Sequence, residues 1–209
     1  MPPFITIEGG EGAGKSTQAR LLADALARAG RGVLLSREPG GAPGAERLRA
    51  LLLEPGAGFA PIAETMLHFA ARAEHVARTI RPALAAGMWV VCDRFTDSTR
   101  AYQGGGMGVP MTEIETLARL IGLEPDLTLW LAASPAVAAA RREARGGRAD
   151  RYEALDAAFH ARVDAAFRAI AAAEPERVRP IDADGTPDAV HAAMRAAVEA
   201  SFADAFMPG

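Results

Sequence analysis

The segment Gly9-Gly10-Glu11-Gly12-Ala13-Gly14-Lys15-Ser16 constrains this chain more than any other. It satisfies G-x-x-x-x-G-K-[ST] at every specified position. It follows a β-branched apolar run, Phe4 to Glu8, and opens an amphipathic stretch from Ser16 to Ala29 that ends at Gly30. A strand, a glycine-rich turn and a helix in that order let successive backbone N–H groups point inward at phosphate oxygens, with the positive end of the helix dipole behind them. A slender ammonium reaches β- and γ-phosphates from inside such a loop where a planar guanidinium fits less well. Among the 23 lysine and arginine residues, Lys15 is the sole lysine. The plain alternative is a chance glycine turn, which the flanking strand and helix and the solitary lysine weigh against. Residues Gly9 to Thr17 therefore read as a cradle for ATP or another nucleoside triphosphate, with the Ser16 hydroxyl as a ligand for Mg²⁺. The reaction does not follow from the cradle alone.

The rest of the chain repeats the strand–helix alternation. Apolar runs at Val33–Ser36, Trp89–Asp93 and Leu127–Leu131, and a weaker one at Val178–Ile181, read as further strands. Helices are expected over Ala45–Leu53, Ile62–Ala86 with a kink at Pro82, and Pro187–Phe202. Strands that are continuously apolar indicate a parallel sheet covered on both faces. The expected architecture is α/β: a three-layer P-loop fold with a five-stranded parallel sheet, forming one domain over residues 1–209. Gly104 to Gly108 and the arginine-rich stretch about 141–153 read as loops, the latter as a lid. A length of 209 residues, half of them hydrophobic, allows a sizeable core and excludes global disorder. A net charge of −3 argues against a nucleic-acid binder. No apolar run reaches the roughly 20 residues that span a bilayer, so no membrane partner is expected. One cysteine, Cys92, and a start without a leader-like stretch suit the cytoplasm.

GTPases read guanine through a motif containing a second lysine, which this chain lacks. The third strand instead ends in Asp93-Arg94-Phe95, an acid and a base at the carboxyl edge of the sheet, where open α/β sheets bind ligands. Further along stand Arg37-Glu38-Pro39-Gly40-Gly41, Phe69-Ala70-Ala71-Arg72, Ser98-Thr99-Arg100-Ala101-Tyr102-Gln103-Gly104-Gly105-Gly106, Pro125-Asp126-Leu127-Thr128-Leu129, Asp150-Arg151-Tyr152-Glu153 and Ile181-Asp182-Ala183. In their order and spacing, over nearly the whole chain, these segments resemble the bacterial thymidylate kinase family.

The resemblance implies phosphoryl transfer from Mg·ATP to dTMP in a homodimeric enzyme. It assigns Arg94 and Arg72 to the dTMP phosphate, with Arg37 nearby, and Asp93 to the magnesium and water shell, making Ser16 and Asp93 the metal-side pair. Thr99 and Gln103 would meet the thymine edge, with Ser98 nearby, and Tyr102 would lie beside the sugar. Glu11, a carboxylate inside a phosphate loop, would repel the triphosphate unless engaged; in the family an acid here bonds the 3′-hydroxyl. Pro39 matches a family proline that follows a cis peptide, a plain trans turn being the alternative. Phe69 would stack on the base while Arg72, three residues on, holds phosphate; aligned on Ala70-Ala71-Arg72, His68 takes that aromatic position instead. Arg141 and Asp182 fall on the ATP side. Arg148 and Arg151 of the lid are expected to meet the charge on the transferring phosphoryl group. An acceptor that is already a phosphate needs alignment of two anions more than a strong base. A deoxynucleoside kinase, which needs a base, and a non-catalytic ATP-dependent switch remain the alternatives.

Overall fold

A computed structural model describes residues 2–54, 56, 58–146 and 151–207. Its strands are β1 (Phe4–Glu8), β2 (Val33–Arg37), β3 (Trp89–Asp93), β4 (Leu127–Ala132) and β5 (Val178–Asp182). They form one sheet in the order β2-β3-β1-β4-β5, every neighbouring pair parallel. The five-stranded parallel sheet expected from sequence is therefore present.

Alternation along β1 divides the core between the two faces. Ile5 and Ile7 pack with Leu22 and Leu26 of helix α1 (Lys15–Arg28) and with Val190, Met194 and Val198 of α9 (Pro187–Ser201). Phe4, Thr6 and Glu8 point to the opposite face. There Phe4 joins Val76, Ile80, Val90, Cys92 and Phe95. Trp130 of β4 joins Tyr102 and Phe167 on the same side, against α8 (Ala157–Ala173). All five β1 side chains are buried, as a strand covered on both faces requires.

The remaining helices are α2 (Pro43–Leu53), α3 (Pro61–His75), α4 (Arg81–Ala85), α5 (Thr96–Thr99), α6 (Met111–Ile121) and α7 (Pro135–Arg145). The long helix expected to kink at Pro82 is interrupted earlier, by a π-type turn over Val76–Ile80, and resumes as α4. Pro82 has no N–H to return to the preceding turn, and the widened turn absorbs that loss.

A second π-type segment, Arg100–Gly106, continues α5. It replaces the loop expected from the glycine run. The glycines serve close packing: a Cβ at Gly105 would come within 2.6 Å of Ala166 Cβ, and one at Gly106 within 2.5 Å of the Phe159 ring. The wide helix thus lies flush against α8, and Tyr102, packed beside Phe159 and Phe167, is carried to the cavity at the carboxyl edge of the sheet.

Candidate active site

The phosphate loop leaves β1 and enters α1 as the sequence required. Gly9, Gly12 and Gly14 all have φ in the left-handed region, at 142°, 83° and 93°. Lys15 is buried and its Nζ donates to Gly10 O at 2.7 Å. Helix α7 docks on the outside of the loop: Arg141 Nη1 donates to Ala13 O at 3.3 Å and Arg142 Nη1 to Glu11 O at 2.8 Å. Arg142 is a contact that sequence reasoning did not isolate within its arginine-rich neighbourhood.

The loop forms one wall of a cavity of about 720 Å³ at the carboxyl edge of the sheet. Ser16, Thr17, Arg37, Pro39, Arg72, Asp93, Arg94, Ser98, Thr99, Tyr102, Gln103 and Arg141 all border it. Segments from five separate stretches of sequence therefore converge there. The volume falls within the range usual for ligand sites.

Arg94 is the hub. It has φ 72°, the single non-glycine residue in the left-handed region among those described, a conformation that only surrounding structure can impose. Its Nη2 pairs with Glu11 Oε1 and donates to Tyr102 OH at 3.3 Å. Its Nη1 donates to Ser98 Oγ at 3.1 Å and Gly9 O at 3.3 Å, and its guanidinium lies 4.9 Å from the Tyr102 ring centroid. Tyr102 OH donates to Glu11 Oε1 at 2.8 Å. Burial alone would raise the Glu11 carboxyl, but the charges of Arg94 and Lys15 and the Tyr102 hydrogen bond hold it down at about 2. The acid in the phosphate loop is thus fully ionised and internally neutralised.

Asp93 lies beside the start of α1. Its Oδ2 accepts from Ser16 Oγ at 2.5 Å, while its buried Oδ1 has no hydrogen-bond partner among the described residues. A hydroxyl and a carboxylate with an uncommitted oxygen suit a hard cation that takes its other ligands from phosphate and water.

Helix α3 presents Glu64, His68 and Arg72 at spacings of four, hence on one face. Arg72 is buried; Nε donates to Glu38 Oε2 at 2.8 Å, and Nη2 to Phe95 O at 3.0 Å and Thr99 Oγ1 at 3.1 Å. Its Nη1 is buried without a partner among the described residues. Arg72 is grouped with Thr99, the residue expected at the base edge, while Arg94 stands at the phosphate loop.

Phe69 requires a correction. It borders the interior, packed with Val109, Ile114 and Ala118, and does not line the cavity, whereas His68 does. A step of one residue turns a helix by about 100°, so Phe69 supports Arg72 from beneath, its ring 4.7 Å from the guanidinium. His68 Nε2 lies 2.9 Å from Tyr152 OH, which donates to Glu64 Oε1 at 2.8 Å. With the Tyr152 proton committed, His68 Nε2 is the donor. Burial and the charges of Arg72, Arg94 and Arg151 push its imidazole down to about 3, so the ring is neutral near pH 7. Gln103 Nε2 donates to the same Glu64 Oε1 at 3.1 Å. Glu64 was missed; its signal was the polar stripe at spacing four inside an otherwise apolar helix.

Two further expectations change. Arg151 pairs with Glu64 Oε2 at 2.5 Å and does not line the cavity. A fully buried carboxylate demands a countercharge, and this one holds Arg151 on the α3 side, not at the phosphate loop. Asp182 also stays outside the cavity; its Oδ1 accepts from Asp184 N at 3.0 Å, closing the turn after β5. Arg148 lies outside the described residues. Arg37 borders the cavity half-exposed, paired with Glu46 at 3.0 Å. Arg49, which the sequence did not single out, lines the cavity beside it and donates to Pro39 O at 2.7 Å. The Glu38–Pro39 peptide is cis.

A P-loop at the head of a parallel sheet, facing a second wall of arginines, defines a phosphotransferase whose acceptor is itself anionic. A family model described as thymidylate kinase matches residues 7–194. A thymidylate kinase of Gluconobacter oxydans is 55% identical over 203 residues, covering 95% of each chain. One from Rhizorhabdus wittichii is 55% identical over 91% of this chain and 94% of its own. The crystal structure of thymidylate kinase from Ehrlichia chaffeensis superposes with a TM-score of 0.79 at 33% identity, covering 95% of this chain and 98% of its own. The chain belongs to the thymidylate kinase family, and its reaction is the ATP-dependent phosphorylation of dTMP to dTDP.

Proposed function

We propose that the cavity performs this transfer by holding two anions in line, with ATP on the phosphate loop and dTMP against Arg94, and without a general base. The carrying observation is the Arg94 hub: one guanidinium, fixed by Glu11, Tyr102 and Ser98, at the junction of the phosphate loop and the α3–α5 wall. The phosphate of dTMP is already a charged nucleophile, so positioning and charge cancellation supply the rate. Arg37 and Arg49 add positive charge on the acceptor side. Tyr102 and Glu11 are offered to the sugar. Arg72 Nη1, unpartnered among the described residues, is offered to the base with Thr99, Gln103 and neutral His68. Arg141, Pro187 and Val190 line the opposite end, which suits the nucleoside of ATP.

Ser16 and Asp93 would hold Mg²⁺, which when bound supplies positive charge to the transferring phosphates. Arg148 keeps its proposed place at the transferring group, in a lid of the single domain. Buried, unpaired Cys92 supports a reducing, cytoplasmic setting. Among the described residues no helix is long and apolar enough to cross a membrane. Along α3, Met66, Ala70, Ala73 and the following Ala77 leave a small, exposed apolar stripe, which supports a homodimer through this face.

Lys15→Ala tests the proposal. Turnover should fall by a factor on the order of 10³ or more, with circular dichroism unchanged because the ammonium contacts one backbone carbonyl. Retained dTMP kinase activity in a folded Lys15→Ala protein contradicts the assignment of the loop.

A further inference from the structure

We infer that Glu8, the last residue of β1, is a positioning residue that holds Arg94 in its working conformation through Ser98. The inference rests on the proposed role of Arg94 toward dTMP. Glu8 is completely buried and does not itself line the cavity. Its Oε1 accepts from Phe95 N at 2.7 Å and Ser98 N at 3.2 Å, one and four residues after the left-handed Arg94. Its Oε2 accepts from Ser98 Oγ at 2.5 Å, and that same Oγ accepts from Arg94 Nη1 at 3.1 Å.

The carboxylate therefore acts on Arg94 at two levels. Through Oε1 it satisfies the Phe95 N–H beside the left-handed Arg94 and the Ser98 N–H in the first turn of α5, where a helix leaves its N–H groups without backbone partners. Through Oε2 it fixes the Ser98 proton on itself, so the Ser98 lone pairs face Arg94 as acceptors. A chain of hydrogen bonds ending in an ionised group is polarised along its length, which strengthens the Ser98 oxygen as an acceptor for the guanidinium. A buried acid is costly unless it is fully used; every partner of this one belongs to the turn that carries Arg94. The carboxyl is pushed up to about 7 by burial and by Asp97 nearby, against the Ser98 hydrogen bond and the Arg94 charge, so the experiment is set at pH 8.5, where Glu8 is ionised.

Glu8→Gln keeps an oxygen for the two amides but turns Oε2 into a donor. The test measures KM for dTMP, KM for ATP, kcat and Tm in wild type, Arg94→Ala, Glu8→Gln, Ser98→Ala and the Glu8→Gln/Ser98→Ala double variant. Glu8→Gln should raise KM for dTMP about tenfold while KM for ATP stays within about twofold and Tm within a few degrees. In the Ser98→Ala background, Glu8→Gln should add less than about twofold, because the path it acts through is already cut. Fully additive effects of the two substitutions, or equal losses toward ATP and dTMP, overturn the positioning role of Glu8. If Arg94→Ala itself leaves KM for dTMP unchanged, the proposed role of Arg94 fails instead. Should Glu8→Gln not fold, Ser98→Ala alone decides: an unchanged KM for dTMP overturns the inference.

Discussion

At the scale of single residues, the site is built from charges that the fold itself neutralises. Glu11 is usable inside a phosphate loop because Arg94 and Tyr102 engage it. Sequence raised the paradox of an acid there but could not supply its partners, which lie more than eighty residues away. His68 shows the opposite treatment, a titratable ring held neutral. An imidazole whose folded value is depressed from 6.5 to about 3 costs stability as pH falls below 6.5, because only the unfolded chain takes up the proton. Glu11, depressed to about 2, contributes stability that is present above about 4.5 and lost as pH falls through 2. Glu8 is raised, so its contribution grows as pH falls from about 7 to 4.5 and there opposes that of His68. Comparing wild type with His68→Phe isolates the histidine. The unfolding free energy of wild type relative to the variant should shrink from pH 7 to pH 5 in urea titrations; a constant difference contradicts a neutral His68 in the folded protein.

At the scale of elements, what was legible and what was not divide by the range of the determining contacts. Strands β1 and β3 and the start of α1 follow from local pattern, and so does the phosphate loop. The glycine end of the Arg100–Gly106 helix, Gly104 to Gly106, was read as loop because glycine runs locally favour loops; packing against Ala166 and Phe159 overrides that preference. Phe69 was misplaced because helical spacing gives which residues share a face but not which face meets the ligand. The stripe Glu64–His68–Arg72 carried that information, since three polar side chains would not be repeated on a purely interior face. The seam between α7 and the phosphate loop is a contact of the same non-local kind. A Cβ at Gly12 would stand 2.3 Å from Ala138 O, and its φ of 83° disfavours any side chain. Gly12→Ala should lower Tm by several degrees and raise KM for ATP more than KM for dTMP. Equal changes in the two constants contradict a seam that shapes the donor side.

At the scale of the whole molecule, a buried ionic cluster ties the far side of the sheet together. Asp97 on α5 accepts from Arg177, ahead of β5, at 2.7 Å and from Arg100 at 2.8 Å, with Thr128 of β4 also bonded to it. Arg100 in turn reaches Glu115 on α6 at 2.7 Å. Removing one charge from such a cluster strands the others out of water, so Asp97→Asn should cost about 3–5 kcal/mol in urea unfolding. Breaking the exposed Arg168–Asp164 pair should cost less than about 1 kcal/mol. Similar losses from both contradict the cluster's role in tying these elements together. None of its members could be linked from sequence, because their pairing depends on which strands become neighbours.

The central claim is that an arginine-lined cavity aligns two phosphates and needs no base, and acceptor-dependent ADP release tests it most directly. Mg·ATP would be supplied with dTMP, thymidine, dUMP, dCMP or AMP in parallel. Strong stimulation by dTMP, with little from the pyrimidine and purine competitors and none from thymidine, is the predicted result. Stimulation by thymidine, a neutral hydroxyl acceptor, would contradict the account, because the arginines that border the cavity are assigned to a phosphate that thymidine lacks.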